Sequence, residues 1–246
     1  MEPHIEVAAE TLGYLGPLPI TNSLIMTWIV MAVLVTFAYL ASKNIQRFPT
    51  GLQNFAEMVV ESLYSTIDGL AGHLTSRIFP LIATFFIFII VSNYFGLLPG
   101  VGTVGLKEMR DGHEVLVPLF RPAAADLNFT LALALISVIM THYIALTTVG
   151  LPAYLARYFS LNPIYLFVGI LEIVAEFTKV ISLSFRLFGN IFAGEALLTT
   201  ISSLLAFFAP LPFMGLELLV GFVQATVFMM LTLVFITILA EKHEAN

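Results

Sequence analysis

The sequence predicts an all-α integral membrane protein with five membrane-crossing helices and one amphipathic helix at the membrane interface. Of its 246 residues, 59% are hydrophobic and 11% are charged, whereas a soluble domain carries roughly 25% charged residues. The mean hydropathy is +0.98. Four long stretches carry no charge, and each reaches the roughly 18 to 20 residues that cross a hydrocarbon core as a helix. They are 23–41, 78–98, 127–150 and 218–240.

Composition excludes several classes of function. The chain has no cysteine, so disulfides and thiolate metal sites are excluded. It has no basic block and no GxxxxGK loop, and we therefore expect no nucleic acid partner, no cofactor or metal, and no nucleotide chemistry on this chain. Residues 1–22 are acidic and lack the basic start of a secretory signal. We expect them to form an N-terminal segment of a single membrane domain, residues 1–246.

The positive charges predict the orientation. The first span, 23–41, is followed by Lys43 and Arg47, and basic residues next to a span tend to stay in the cytoplasm. Lys242 follows the last span in the same way. These positions predict a multi-pass protein whose N-terminus lies outside and whose C-terminus lies in the cytoplasm.

Residues 51–71 predict an amphipathic helix that is too polar to span the membrane. Its acidic residues, Glu57, Glu61 and Asp68, fall within about 40° of one another at 100° per residue. Its apolar residues recur at helical spacing: Leu52, Phe55, Val59, Leu63, Ile67 and Leu70. We expect this helix to lie at the cytoplasmic interface or to pack on a partner, unless its acidic face is simply solvated.

The next two spans, 78–98 and 127–149, enclose a loop at 99–126 that we expect on the outside. The first of them ends at Gly96, Pro99 and Gly100, residues that terminate helices. The second begins after Asp126, a favourable N-cap residue.

The last two helices, 163–206 and 213–240, are predicted to be long and tilted and to form an antiparallel hairpin. Some 44 helical residues extend roughly 66 Å, about twice the roughly 30 Å apolar thickness. The first helix is therefore either broken near Gly189 or steeply tilted. In an antiparallel helix pair, the residue numbers of two residues at the same level add up to a nearly constant value. Arg186 with Gln224 and Glu195 with Glu217 give nearly the same sum, and half of that sum places the turn near residue 205 or 206.

Six charged residues lie within these two helices, where each costs a few kcal/mol unless it is paired or hydrated. They are Glu172, Glu176, Lys179, Arg186, Glu195 and Glu217. At 100° per residue, Glu172, Glu176, Lys179 and Asn190 lie within about 80° of Arg186, whereas Glu195 points about 180° away and lies roughly 13 Å further along the axis. Carboxylates relay protons and arginine keeps its charge, so this arrangement favours two separate polar routes over one continuous pore.

Several of these residues also have a structural interpretation, including Glu195 as an interfacial residue and Glu217 as part of a structural pair. Glu172 and Glu176 could be interfacial, and Lys179 could extend to the interface or pair with either of them. Asn190 and Gln224 could form a plain interhelical hydrogen bond. His142 is alone in an apolar span and is better explained as a hydrogen-bonded packing residue than as a proton relay.

Several motifs together resemble subunit a of rotary F-type ATP synthases, the stator subunit that faces a rotating ring of c subunits. They are SLSFRLFGNIFAGE at 182–195, LELLVGFVQATVFMMLTLVF at 216–235, NYFGLLP at 93–99 and DLNFTLALAL at 126–135. The resemblance runs from about residue 22 to the end of the chain. It implies that peripheral-stalk b subunits and the rest of the ATP synthase complex are further partners, together with lipid and protons, in a bacterial inner (plasma) membrane.

The resemblance also implies roles for individual residues. Arg186 matches the essential stator charge, and Asn190, Glu195, Glu217 and Gln224 match positions that line the outer half-channel and its interface with the ring. Glu172 matches a position on the cytoplasmic route, to which we also assign Glu176 and Lys179. Family members often have one carboxylate and one histidine where this chain has Glu195 and Glu217.

We therefore expect a non-catalytic subunit that conducts protons through two offset half-channels and couples their flow to ATP synthesis on other subunits. One alternative is a proton-coupled secondary transporter that binds an anion at Arg186, but that class predicts inverted repeats, and none is visible in the sequence. A Na⁺-conducting version of the same subunit and a structural membrane scaffold are further alternatives.

Overall fold

A computed structural model describes residues 8–110, 113–158, 163–204 and 208–240. Three predictions lie outside these residues: the start of the N-terminal segment, the turn near residue 205 or 206, and the position of Lys242. Within the described residues the chain is almost entirely helical. Seven α-helices follow one another as α1 (Asn22–Ser42), α2 (Leu52–Ala71), α3 (Thr75–Gly96), α4 (Leu127–Val149), α5 (Leu151–Tyr158), α6 (Pro163–Leu204) and α7 (Pro210–Ala240).

The predicted membrane class agrees with these helices. By length and composition, four helical segments of the described chain are long and apolar enough to cross a membrane. They are Asn22–Ser42, Leu52–Gly96, Leu127–Val149 and Pro210–Ala240.

Two β-hairpins depart from the purely helical prediction. The first pairs β1 (Thr11–Leu15) with β2 (Leu18–Thr21), and the second pairs β3 (Gly105–Arg110) with β4 (His113–Pro118). The sequence predicts no strands in these segments. Between β1 and β2 the chain turns at Gly16, whose φ of 65° suits a residue without a Cβ. Both hairpins lie at the end of the helical bundle where α1 and α4 begin, which we call the hairpin end.

The opposite end of the bundle, where α4 ends and α7 ends beside α5, is the α5 end. Here Leu63 and Ile67 of α2 pack with Ile78 of α3 and Ile236 of α7 in one buried cluster. A second cluster nearer the hairpin end joins α3, α4, α6 and α7 around Phe228. Two buried hydroxyl pairs also cross between helices, Ser137 with Thr232 at 2.8 Å and Thr130 with Ser184 at 3.1 Å. The resulting core fixes α6 and α7 against α3 and α4.

Helix α6 is continuous over its 42 residues. It passes through Gly189 without interruption, so the alternative of two helices broken near that residue is excluded. At 1.5 Å per residue its length is about 63 Å, twice a bilayer's apolar thickness of about 30 Å. The steep tilt that such a length requires in a bilayer stays a prediction.

One surface of α6 is apolar and open to the surroundings. Phe177, Ile181 and Phe185 are 71%, 57% and 56% exposed, respectively. On the adjoining α7, Leu219 and Phe222 are also exposed. This surface suits contact with lipid or with another apolar protein, because such a large apolar area is unfavourable in water.

Helix α2 buries only part of its predicted apolar side within this chain. Leu63 and Ile67 are buried, whereas Leu52, Phe55 and Leu70 are about half exposed. Glu61 and Asp68 are exposed as well. The helix thus rests on α3 and α7 along one line and keeps both a polar and an apolar strip free for other contacts.

Candidate functional site

Arg186 lies on the open side of α6. Its side chain is exposed, and its Nη2 donates to Ser182 Oγ at 3.2 Å, one helical turn away. Within the part of the chain that the structure describes, no carboxylate pairs with it. A groove of about 420 Å³ borders this arginine and also includes Lys179 of α6 and Phe235 of α7. The guanidinium is thus a fixed positive charge that a group outside this chain can approach.

Asn190 and Gln224 connect α6 to α7 one turn beyond Arg186. Asn190 Nδ2 donates to Gln224 Oε1 at 2.6 Å. Gln224 is buried, whereas Asn190 is exposed. With the contacts of Lys179 with Phe235 and of Gly194 with Glu217, this hydrogen bond shows that α6 and α7 run antiparallel. Gln224, which the sequence places level with Arg186, thus bonds one turn further along α6 and forms a polar contact beside that arginine.

Glu195 and Glu217 line one small cavity at the hairpin end. The cavity measures about 80 Å³ and also contacts Asn93 and Thr199, so it has room for a few water molecules. Glu217 is 7% exposed. The buried Asn93 side chain donates from Nδ2 to the Gly221 carbonyl at 3.2 Å, while its Oδ1 accepts no hydrogen bond from any described residue. The polar groups lining this cavity are suited to hold water.

Gly194 provides the space that the Glu217 carboxyl group occupies. A Cβ built on Gly194 would overlap all three carboxyl atoms of Glu217. A side chain on α6 at this position would therefore displace the carboxylate of α7.

Arg121 neutralises Glu195. Its Nε lies 3.2 Å from Glu195 Oε2, and its Nη1 donates to the Ala8 carbonyl at 2.8 Å. The guanidinium also lies 5.8 Å from the centroid of the Phe192 ring. Arg121 is 4% exposed, and its charge is balanced by a carboxylate 74 residues away in the chain.

A second polar region lies at the α5 end. Arg157 Nε donates to Glu172 Oε1 at 2.5 Å, and Arg157 Nη1 donates to the Ile238 carbonyl at 3.1 Å. Glu176 lies beside Lys179, with 2.7 Å between Oε1 and Nζ. Each carboxylate in this region thus has a cation beside it.

The structure sorts the predicted site residues into three groups. Glu172, Glu176 and Lys179 lie at the α5 end, Glu195 and Glu217 lie in the cavity at the hairpin end, and Arg186, Asn190 and Gln224 lie between them. The sequence did not mark Arg121, Asn93 and Gly194 as site residues. The only signals for them were an arginine close before a span and an asparagine within NYFGLLP.

Removal of the Arg121 charge is expected to destabilise the protein. Arg121→Gln leaves the Glu195 carboxylate without its cation in a largely buried place, and breaking such a pair costs about 3 kcal/mol. The double variant with Glu195→Gln should recover most of the loss, because the Glu195 charge is removed together with that of Arg121. Thermal stability of the purified complex measures both effects, with Arg47→Gln, at an exposed arginine, as the control. Equal stability of Arg121→Gln and the unmodified protein would contradict this assignment.

Comparisons with known proteins agree with this architecture. A family model described as ATP synthase A chain matches residues 24–237. ATP synthase subunit a of Moorella thermoacetica is 32% identical over 230 residues, covering 94% of this chain and 95% of that protein. Subunit a of Desulfosudis oleivorans is 36% identical with 92% and 91% covered, and subunit a of Gloeobacter violaceus is 36% identical with 98% and 92% covered.

The apolar helices and the polar sites between them define a multi-pass membrane protein that holds charged side chains inside its helical bundle. The chain belongs to the ATP synthase subunit a family, which confirms the resemblance seen in the sequence. Subunit a is the proton-translocating stator component of F-type ATP synthase, and the rest of that complex is its partner. Within the described residues no group of three His, Asp or Glu side chains could hold a metal ion.

Proposed function

We propose that this chain conducts protons through two offset half-channels that meet a rotating ring of c subunits on either side of Arg186. In this proposal α1, α3, α4, α6 and α7 cross a bacterial inner membrane, and α2 lies at its cytoplasmic face. The hairpin end faces outside, together with the N-terminus, and the α5 end faces the cytoplasm. The apolar surface of α6 contacts the ring.

The position of Arg186 carries the proposal. It is an exposed cation on a long apolar surface, and it lies between two polar regions on the same helix that are at opposite ends of the bundle. A charge so exposed to an apolar phase is costly unless a partner answers it. When a carboxyl group is brought from lipid toward Arg186, the positive charge of the arginine would favour the ionised form of that carboxyl group, which would then release its proton.

The outer half-channel begins at the cavity beside Glu217 and Glu195. From there the polar contact between Asn190 and Gln224 leads toward the surface that bears Arg186. Protons would enter by this route, protonate a ring carboxylate and travel with the ring.

The inner half-channel uses the polar region at the α5 end. Glu172, Glu176 and Lys179 lie on α6 between that end and Arg186, and Lys179 and Arg186 share one groove. Because Arg186 keeps its charge at all ordinary pH values, it would prevent protons from passing directly between the two routes. The partly exposed apolar strip of α2 suits the peripheral-stalk b subunits.

Neutralising the two cavity carboxylates tests the outer route. Glu217→Gln keeps the side-chain shape but removes proton transfer, so it should lower passive proton conduction by about tenfold or more. Glu195→Gln should do the same per amount of assembled complex, which must be measured because this variant also takes the carboxylate partner from the buried Arg121. The measurement uses the assembled complex in sealed vesicles over a range of pH values. Glu61→Gln, an exposed carboxylate of α2, is the matched control.

Unchanged conduction profiles in both cavity variants would rule out a relay through them. The Na⁺-conducting version is tested in the same vesicles, because ATP-driven acidification in sodium-free buffer requires protons to be the transported ion. A strict need for Na⁺ would replace the proton in this proposal.

A further inference from the structure

A chain of polar side chains from three helices runs between the groove and the α5 end. Lys179 Nζ lies 2.7 Å from Glu176 Oε1, and Glu176 Oε2 lies 3.4 Å from His142 Nε2. His142 Nδ1 is hydrogen-bonded to the Tyr154 hydroxyl at 2.8 Å. Helices α6, α4 and α5 each contribute to this connection.

The two ends of this chain lie in different surroundings. Lys179 borders the groove that also contains Arg186, and its Nζ is 4.6 Å from the Phe235 ring centroid. Tyr154 lies on α5, the short helix that follows α4. The polar side chains between them, Glu176 and His142, are 13% and 27% exposed, respectively. The cluster therefore connects the groove with the end of the bundle through partly buried groups.

We propose that His142 and Tyr154 continue the inner half-channel from Glu176 to the surface at the α5 end, as a proton relay. The inference rests on the proposed function and adds two residues from other helices to it. Nothing in the local sequence around His142 distinguishes this role from packing. Its two ring nitrogens, however, contact two groups that can each exchange a proton.

Proton transfer along this chain balances at every step. Glu176, whose Oε1 lies beside Lys179, accepts a proton that arrives in the groove and passes it from the carboxyl group to His142 Nε2. His142 takes this proton at Nε2 and gives up the one at Nδ1, which histidine can do near neutral pH. The Tyr154 hydroxyl accepts that proton and donates its own to water. Pumping in the opposite direction reverses each transfer.

The neighbouring charged groups leave this route undisturbed. Arg157 and Glu172 neutralise each other beside it. Burial raises the pKa of the Tyr158 phenol, so Tyr158 stays neutral and does not compete for the proton. Lys179 is the cation that contacts Glu176.

The test compares variants of the complete complex in sealed vesicles, with passive proton conduction and ATP-driven pumping as readouts. His142→Gln retains an amide that can hold Tyr154 and Glu176 in place but cannot relay a proton, and Tyr154→Phe retains the ring without its hydroxyl. Each should lower conduction by about tenfold or more at an unchanged amount of assembled complex. The exposed residues His73 and Tyr143 supply the matched controls His73→Gln and Tyr143→Phe.

Chemical rescue separates a relay from a packing role. In His142→Ala, added imidazole should restore conduction, whereas pyrazole, which has a similar shape but is a far weaker base, should not. Equal rescue by both compounds, or normal conduction in His142→Gln, would overturn the relay. A loss of conduction that only follows a loss of assembled complex would overturn it as well.

A parallel measurement on Arg186→Ala distinguishes the two proposals. Loss of coupling in that variant together with normal conduction in His142→Gln would reject the relay and leave the half-channels in place. Retained coupling in Arg186→Ala would instead reject the proposed function on which the relay depends.

Discussion

Arg186→Ala is expected to abolish ATP-driven proton pumping and ATP synthesis while the complex still assembles. The substitution removes the fixed cation that answers the ring carboxylate, so protons could pass between the two routes without turning the ring. Assembly should survive because Arg186 is exposed and its hydrogen bond within this chain is to Ser182. Among the residues that the structure describes, no carboxylate loses an ion-pair partner when Arg186 is removed, in contrast to Arg121.

The measurement combines three readouts in sealed vesicles: ATP hydrolysis, acidification and passive proton leak. Ser182→Ala is the matched control, because it removes the hydrogen bond to the guanidinium and keeps the charge. That control should pump at close to the normal rate. Near-normal coupling in Arg186→Ala, with a normal amount of complex, would contradict the role of Arg186 as the stator charge.

Much of the helical architecture follows from local sequence. Long charge-free runs can satisfy their backbone polar groups in a membrane only as helices, which makes the class predictable. The antiparallel register of α6 and α7 could also be inferred, because polar residues inside a membrane tend to pair with each other. Asn190 of α6 donates a hydrogen bond to Gln224 of α7. The continuity of α6 through Gly189 could not be inferred, because a single glycine costs a helix only about 1 kcal/mol and packing decides the outcome.

The pairing of distant residues was not predictable in the same way. Arg121 meets Glu195 across 74 positions, and no periodicity within one helix reports such a contact. His142 similarly bonds to Tyr154 on α5, a helix of 8 residues that is too short to give a clear periodic signal. The hairpins depend on strand pairing between short segments, which hydropathy does not resolve.

Gly194→Ala is expected to impair the outer half-channel more than it impairs stability. The added Cβ would overlap the carboxyl group of Glu217, and that group is the far end of a flexible side chain. The side chain can therefore rotate away at small cost, while alanine itself favours the helix. The carboxylate would leave its place in the cavity, and proton conduction should fall about as far as in Glu217→Gln, by about tenfold or more.

Shortening the displaced side chain tests this explanation, because two residues in contact should not act additively. Glu217→Asp draws the carboxylate back by one methylene, so the double variant Gly194→Ala with Glu217→Asp should conduct better than Gly194→Ala alone. Gly215→Ala is the control, since a Cβ at that position of α7 meets no atom within 4 Å. If the double variant conducts no better than Gly194→Ala, the steric explanation is wrong, and Gly194 would act by a route other than making room for Glu217.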